Sequence, residues 1–165
     1  MLDKRSRYIA IGVVLTACVG GYLLWAHRSS TAAIAAYNPV INPEDFVPQV
    51  DNKYFTLKPG TKFTYQNRRG TERIEITVTN ETKKLMGVTA TAVRAREWKY
   101  GALWEDTTDW YAQDKAGNVW YFGEAVNNYR NGMLWNHRGS WEAGVKGAKP
   151  GIIMKKDPKV GDRYR

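Results

Sequence analysis

Thr71-Glu-Arg-Ile-Glu-Ile-Thr-Val-Thr79 alternates without a break. Ile74, Ile76 and Val78 fall on one side, and Arg73, Glu75, Thr77 and Thr79 on the other. A period of two is that of a strand with one buried face. Working outward, Val88 to Trp98 is rich in β-branched residues, and Leu103 to Ala112 and Asn118 to Gly123 repeat the β pattern. Between them lie Pro59-Gly60, Arg69-Gly70, Met86-Gly87, Tyr100-Gly101, Lys115-Ala116-Gly117-Asn118 and Asn131-Gly132, all turn signals. Asn131-Gly132 suits a type I′ hairpin between Asn127–Arg130 and Met133–Asn136. Turns roughly 10 residues apart predict an antiparallel meander, either an open barrel or a sandwich. After Gly139, only Ile152-Ile153-Met154 reads as a strand, and loops fill the rest.

The N-terminal stretch is of another kind. An uncharged run from Tyr8 to Ala26 follows Lys4, Arg5 and Arg7 and ends at His27-Arg28. At 1.5 Å per residue it makes a helix of roughly 28 Å, near the hydrocarbon thickness of a bilayer. The positive residues ahead of it favour a cytoplasmic N-terminus and an extracytoplasmic domain, at the bacterial inner membrane. Four parts are expected. Residues 1–7 are a cytoplasmic basic tail, 8–26 a transmembrane helix, 27–51 a proline-containing tether and 52–165 an all-β domain. Gly12, Thr16 and Gly20 recur every four residues, with Ala17 and Gly21 beside them, a spacing that lets a second helix approach closely. A rival reading takes Leu15-Thr16-Ala17-Cys18 as a lipobox, with Cys18 lipidated. Against it, the apolar sequence continues through Val19 to Trp25.

The chain has 165 residues, enough for one modest domain outside the membrane. Its single cysteine rules out an internal disulfide. Three of the six prolines, Pro39, Pro43 and Pro48, stiffen the tether. Tyr37, Ile41, Phe46 and Val47 are too apolar for a pure spacer and are expected along a surface of this domain or a neighbour.

No catalytic constellation stands out. Glu105 and Asp109 share a strand face but lie about 13 Å apart at 3.3 Å per residue. Paired-carboxylate hydrolysis needs roughly 5 to 10 Å. His27 and His137 have no metal-binding spacing. Asp114 to Asn118 lacks the alternating acidic ligands of a calcium loop. No glycine-rich phosphate cradle is present. No enzyme activity, cofactor or metal is therefore expected.

Aromatic content is what remains, with seven Trp and ten Tyr. Trp104, Trp110, Trp120 and Trp135 crowd a short stretch, and one small domain cannot bury both faces of every strand. Exposed rings then mark contacts. Net charge is +9, and Lys146, Lys149, Lys155, Lys156 and Lys159 make the C-terminal stretch strongly basic. Outside the cytoplasm that points to acidic protein partners or anionic lipid headgroups, not nucleic acid.

Residues 52–165 carry Asn52-Lys-Tyr-Phe-Thr-Leu-Lys-Pro-Gly-Thr61, Asp109-Trp-Tyr-Ala-Gln-Asp114, Gly117-Asn-Val-Trp-Tyr-Phe-Gly-Glu124, Ser140-Trp-Glu-Ala-Gly144, Pro150-Gly-Ile-Ile-Met154 and Val160-Gly-Asp-Arg-Tyr-Arg165. Through these motifs the chain resembles an uncharacterised group of secreted or membrane-anchored bacterial β-domains. The resemblance implies a β-fold and an extracytoplasmic place, and brings no activity. Relatives continue past the last motif, which implies missing strands and an edge for a partner to complete. The expectation is a non-catalytic subunit of a respiratory, photosynthetic light-harvesting or transport complex. Its partners would be other membrane subunits, met through the helix and the external domain. The alternative is a free-standing anchored or lipidated ligand-binding domain of the cell envelope.

Overall fold

The computed structural model describes residues 37–164. The expected helix over 8–26, its packing residues Gly12, Thr16, Ala17, Gly20 and Gly21, and Cys18 lie outside them. Among the described residues no helix is long and apolar enough to cross a membrane.

The described chain is all-β apart from one 3-10 turn, Pro43–Asp45. The strands are β1 (Phe46–Val47), β2 (Asp51–Asn52), β3 (Phe55–Thr56), β4 (Lys62–Gln66), β5 (Glu72–Leu85), β6 (Val88–Lys99), β7 (Ala102–Asp114), β8 (Val119–Arg130), β9 (Met133–Asn136), β10 (Trp141–Glu142) and β11 (Gly151–Met154). β4 to β8 form an antiparallel meander in chain order. The far side of β8 is shared along its length by β9, β10 and β11, and β2 pairs with β3 as a separate ribbon. Among the described residues β4 hydrogen-bonds to β5 alone, which leaves its other side open there.

Two-residue turns set the hairpins. Met86-Gly87, Tyr100-Gly101 and Asn131-Gly132 all hold positive φ at both residues, the type I′ signature whose twist matches the strands. The hairpin expected at Asn131-Gly132 is present, with Arg130 opposite Met133. Tyr100 adopts φ 51°, a region that a Cβ disfavours by about 1 kcal/mol. Its ring is 85% exposed, so little burial offsets this. Tyr100→Asn is expected to raise stability by about 0.5–1 kcal/mol in chemical denaturation; an unchanged or lowered midpoint would refute it.

One end of the sheet is covered on both faces. On one face Leu85, Val88, Ala92, Trp110 and Phe122 form a core against Ile41, Phe46 and Trp120. On the other, Val78, Val93, Tyr111 and Val119 pack against Val50 and Leu57. Residues 37–50 are thus part of the domain and not a spacer: β1 pairs with β7, and Val50 is buried. Burying Phe46 and Val50 removes apolar surface from water that a free tether would leave exposed. Polar staples hold this segment. Buried Gln113 accepts from the backbone N–H groups of Asp51 (3.0 Å) and Asn52 (2.8 Å). Asn52 Nδ2 donates to the carbonyls of Gly117 (2.8 Å) and Lys155 (3.1 Å).

The other end is bare. Phe63, Tyr65 and Ile74 on β4 and β5, Tyr100 and Trp104 at the β6–β7 turn, and Met133, Leu134 and Trp135 at the β8–β9 hairpin are all exposed. The register aligns them in one region, since Tyr65 faces Ile74, Ile74 faces Glu97, Glu97 faces Glu105 and Glu105 faces Asn128.

Candidate functional site

The four expected contact tryptophans divide. Trp104 and Trp135 stand at the bare end and are exposed. Trp110 is core, 6% exposed, with the Lys83 ammonium 4.0 Å over its ring. It leaves the set of surface residues, because strand alternation places it opposite Ala92 inside the first cluster. Trp120 is half-buried, packs edge-on against Phe46 and donates its indole N–H to Asp114 at 2.8 Å. Lys146, Lys149, Lys156 and Lys159 are exposed. Lys155 is half-buried, pairs with Asp162 at 3.4 Å and lies 5.0 Å over the Tyr164 ring.

Cations lie over half-buried Trp98 and over exposed Trp104 and Trp135. Arg73 and Arg96 approach the Trp98 ring at 4.9 and 5.2 Å, and both pair with Glu75. Lys99 lies 4.5 Å over Trp104, and Arg130 5.7 Å over Trp135. Arg94 grips Asp106 with two hydrogen bonds, 2.8 and 2.5 Å. The carboxylate beside it holds the Arg94 guanidinium above its ordinary value. Cations stacked on rings keep an amphipathic surface wet without hiding it.

On the opposite face, folding assembles a cluster that sequence spacing alone does not show. The β7–β8 register sets Asp109 opposite Glu124, and cross-strand neighbours have Cβ atoms about 4.5–5.5 Å apart. Tyr121 donates its hydroxyl to Asp109 at 2.5 Å. The same hydroxyl and the Trp141 indole reach Glu124. Desolvation pushes the Asp109 carboxyl up to about 6, aided by the negative charges of Glu124 and Glu105. Burial raises Glu124 in the same direction, and the Tyr111 and Tyr121 phenols are pushed up by burial and then by Asp109. Two carboxyls and one phenol hold too few protons to satisfy one another fully ionised, so the group retains a proton toward neutral pH. Trp141 stands edge-on to Tyr121 at 5.2 Å beside the cluster. The alternation of β7 and the run Val119–Glu124 contain the signal, but the register joining them is not local. Among the described residues no group of three or more His, Cys, Asp or Glu could hold a metal ion.

The remaining feature is β4 itself. Every one of its five residues is exposed. Its order, Lys62-Phe63-Thr64-Tyr65-Gln66, alternates polar and aromatic residues. Phe63 and Tyr65 share a face with Ile74 across the strand pair, all three exposed. Natural edge strands are normally shortened, bulged or covered, and this one presents an apolar face beside an unpaired backbone.

No family model, no curated protein and no solved structure matches the chain.

Proposed function

We propose that this chain is a non-catalytic accessory subunit of a bacterial membrane assembly. A helix over residues 8–26 would hold it in the inner membrane, packing through Gly12, Thr16 and Gly20. The β-domain, akin to extracytoplasmic bacterial β-domains, would dock on a neighbouring subunit, with the C-terminal lysines toward acidic partner surface or lipid headgroups. A respiratory, light-harvesting or transport complex would be the host. The observation that carries the reading is the bare end of the sheet, where Phe63, Tyr65 and Ile74 are exposed beside the unpaired edge of β4. Exposed apolar clusters next to free strand edges are aggregation hazards unless a partner covers them.

The test is a native gel of mildly solubilised native membranes. Wild-type protein is expected to migrate within a large assembly, and Phe63→Glu with Tyr65→Glu to release most of it. Migration of the wild type alone, near 18.8 kDa plus detergent, would overturn the reading.

A second reading, an anchored ligand-binding domain, is favoured by two shallow clefts flanking Trp141. One, of about 310 Å³, is lined by Tyr37, Tyr121 and Ile153, and the other, of about 570 Å³, by Glu124, Glu142 and Lys146. A lone binding domain would keep its function with Gly12, Thr16 and Gly20 replaced by Leu, whereas a packed subunit would leave its assembly.

A further inference from the structure

We propose, resting on the docking reading above, that the outer edge of β4 receives an extended acidic segment of the partner as an added strand, its residues alternating carboxylate and apolar.

The backbone supplies the first argument. Asn67 N–H donates to the Glu72 carbonyl (3.1 Å), and Val78 N–H to the Thr61 carbonyl (2.9 Å). In an antiparallel pair every second residue exchanges hydrogen bonds. The phase set by those two bonds makes Phe63–Ile76 and Tyr65–Ile74 the bonded pairs. The N–H and C=O groups of Lys62, Thr64 and Gln66 therefore point away from β5. They form a row of about 13 Å at 3.3 Å per residue, long enough for a strand of ordinary length. Peptides are captured on such edges by main-chain bonds, with alternate side chains giving specificity.

Side chains set the specificity. Phe63 and Tyr65 lie on one face with Ile74, so every second residue of an incoming strand meets apolar surface. Lys62 lies on the other face. From residue 53 to 71 the chain holds Lys53, Lys58, Lys62, Arg68 and Arg69 and no Asp or Glu. Lys58, Lys62, Arg68 and Arg69 are all exposed, and among the described residues none of these four is in an ion pair. Lys58 precedes the strand and Arg68 and Arg69 follow it, so cations flank the row at both ends. Complementary charge steers such encounters and fixes their register. A second copy of this chain fits poorly, since pairing β4 with β4 would set these cations against one another.

The experiment uses the full-length protein in lipid nanodiscs and three labelled short peptides. One alternates Glu and Val, one alternates Lys and Val, and one is the Glu/Val peptide N-methylated at alternate residues. Fluorescence anisotropy reads binding. The Glu/Val peptide is expected to bind, more weakly as salt rises. Lys58→Glu with Lys62→Glu should weaken it about tenfold or more, and the N-methylated peptide should not bind. Equal binding of the Lys/Val peptide would overturn the charge argument, and equal binding of the N-methylated peptide would overturn strand addition. The native gel separates the two levels. If the protein sits in an assembly yet ignores the Glu/Val peptide, docking stands and this partner chemistry falls. If it runs alone yet binds the peptide in all the expected ways, the edge is an acidic-strand receptor and the subunit reading falls.

Discussion

Gly123→Ala is expected to cost about 4 kcal/mol and to detach β10 from the sheet. Gly123 lies at φ 139°, a conformation that side chains rarely adopt. A Cβ there would stand 2.4 Å from the Trp141 carbonyl oxygen and 3.0 Å from the Glu142 Cα. Both are backbone atoms of β10, so no rotamer change relieves the contact. The reason lies in the register. Tyr111 faces Tyr121 while Trp110 faces Gly123, which leaves Phe122 as an extra residue. This β-bulge turns Phe122 into the first core cluster, where it is fully buried, and its carbonyl accepts from Ala143 N–H at 2.8 Å. The control is Gly132→Ala, at φ 76° with nothing within 4 Å of the added carbon. It should cost only about 1 kcal/mol. Denaturation midpoints for the two variants measure the difference, and equal costs would show that β10 yields freely.

Acidification supplies the second large effect. Asp109 moves from 3.8 in the unfolded chain to about 6 when folded. Because the folded value is the higher one, the folded protein holds this proton more tightly. Its stabilising contribution is complete below about pH 4 and is lost as pH rises through about 6. The displacement corresponds to about 3 kcal/mol at 1.36 kcal/mol per pH unit. Glu124 faces the same group from β8 and shifts in the same direction, so the two titrate as a pair. Asp109→Asn keeps an acceptor for the Tyr121 hydroxyl and removes the charge. The variant should exceed wild type in stability near pH 7 by about 3 kcal/mol and converge with it near pH 4. A constant difference across that range would refute the assignment.

Local signals made the meander legible. Ile74, Ile76 and Val78 show their face by alternation alone, and Asn131-Gly132 shows its turn by residue type. Where structure departs from that reading, the cause is non-local. β5 runs on to Leu85 because its pairing shifts between Val78 and Thr82, so Asn80-Glu81-Thr82 breaks the alternation without ending the strand. β8 runs through Gly123 to Arg130 because the glycine marks a bulge and not a stop. β1, β2, β3 and β10 have two residues each, too few to show any period. Phe46, expected along a surface of this domain or a neighbour, and Val50, read as tether, pack against β7 and β8, more than sixty residues away in sequence. Asp109 and Glu124 are only 15 residues apart, yet it takes the β7–β8 register to set them opposite each other. The site residues follow suit: aromatic and basic content points to a contact surface, yet Phe63 and Tyr65 on β4 lie outside the tryptophan-rich stretch that carries that signal.

The staples around residues 37–52 have a mechanical meaning. Tyr37 donates its hydroxyl to the Pro150 carbonyl at 2.7 Å, Lys149 bonds to Asn38, and Asn52 ties Gly117 to Lys155. Tension on the chain ahead of Tyr37 would reach these crosslinks first, and through them the strands at the centre of the sheet. β4 lies several strands away at the margin and would carry none of that load until the clamp gave way. Resistance to pulling is governed by the barrier to such rupture. A domain hauled from its N-terminal side would thus take the load first at these crosslinks, with the exposed strand outside the line of force.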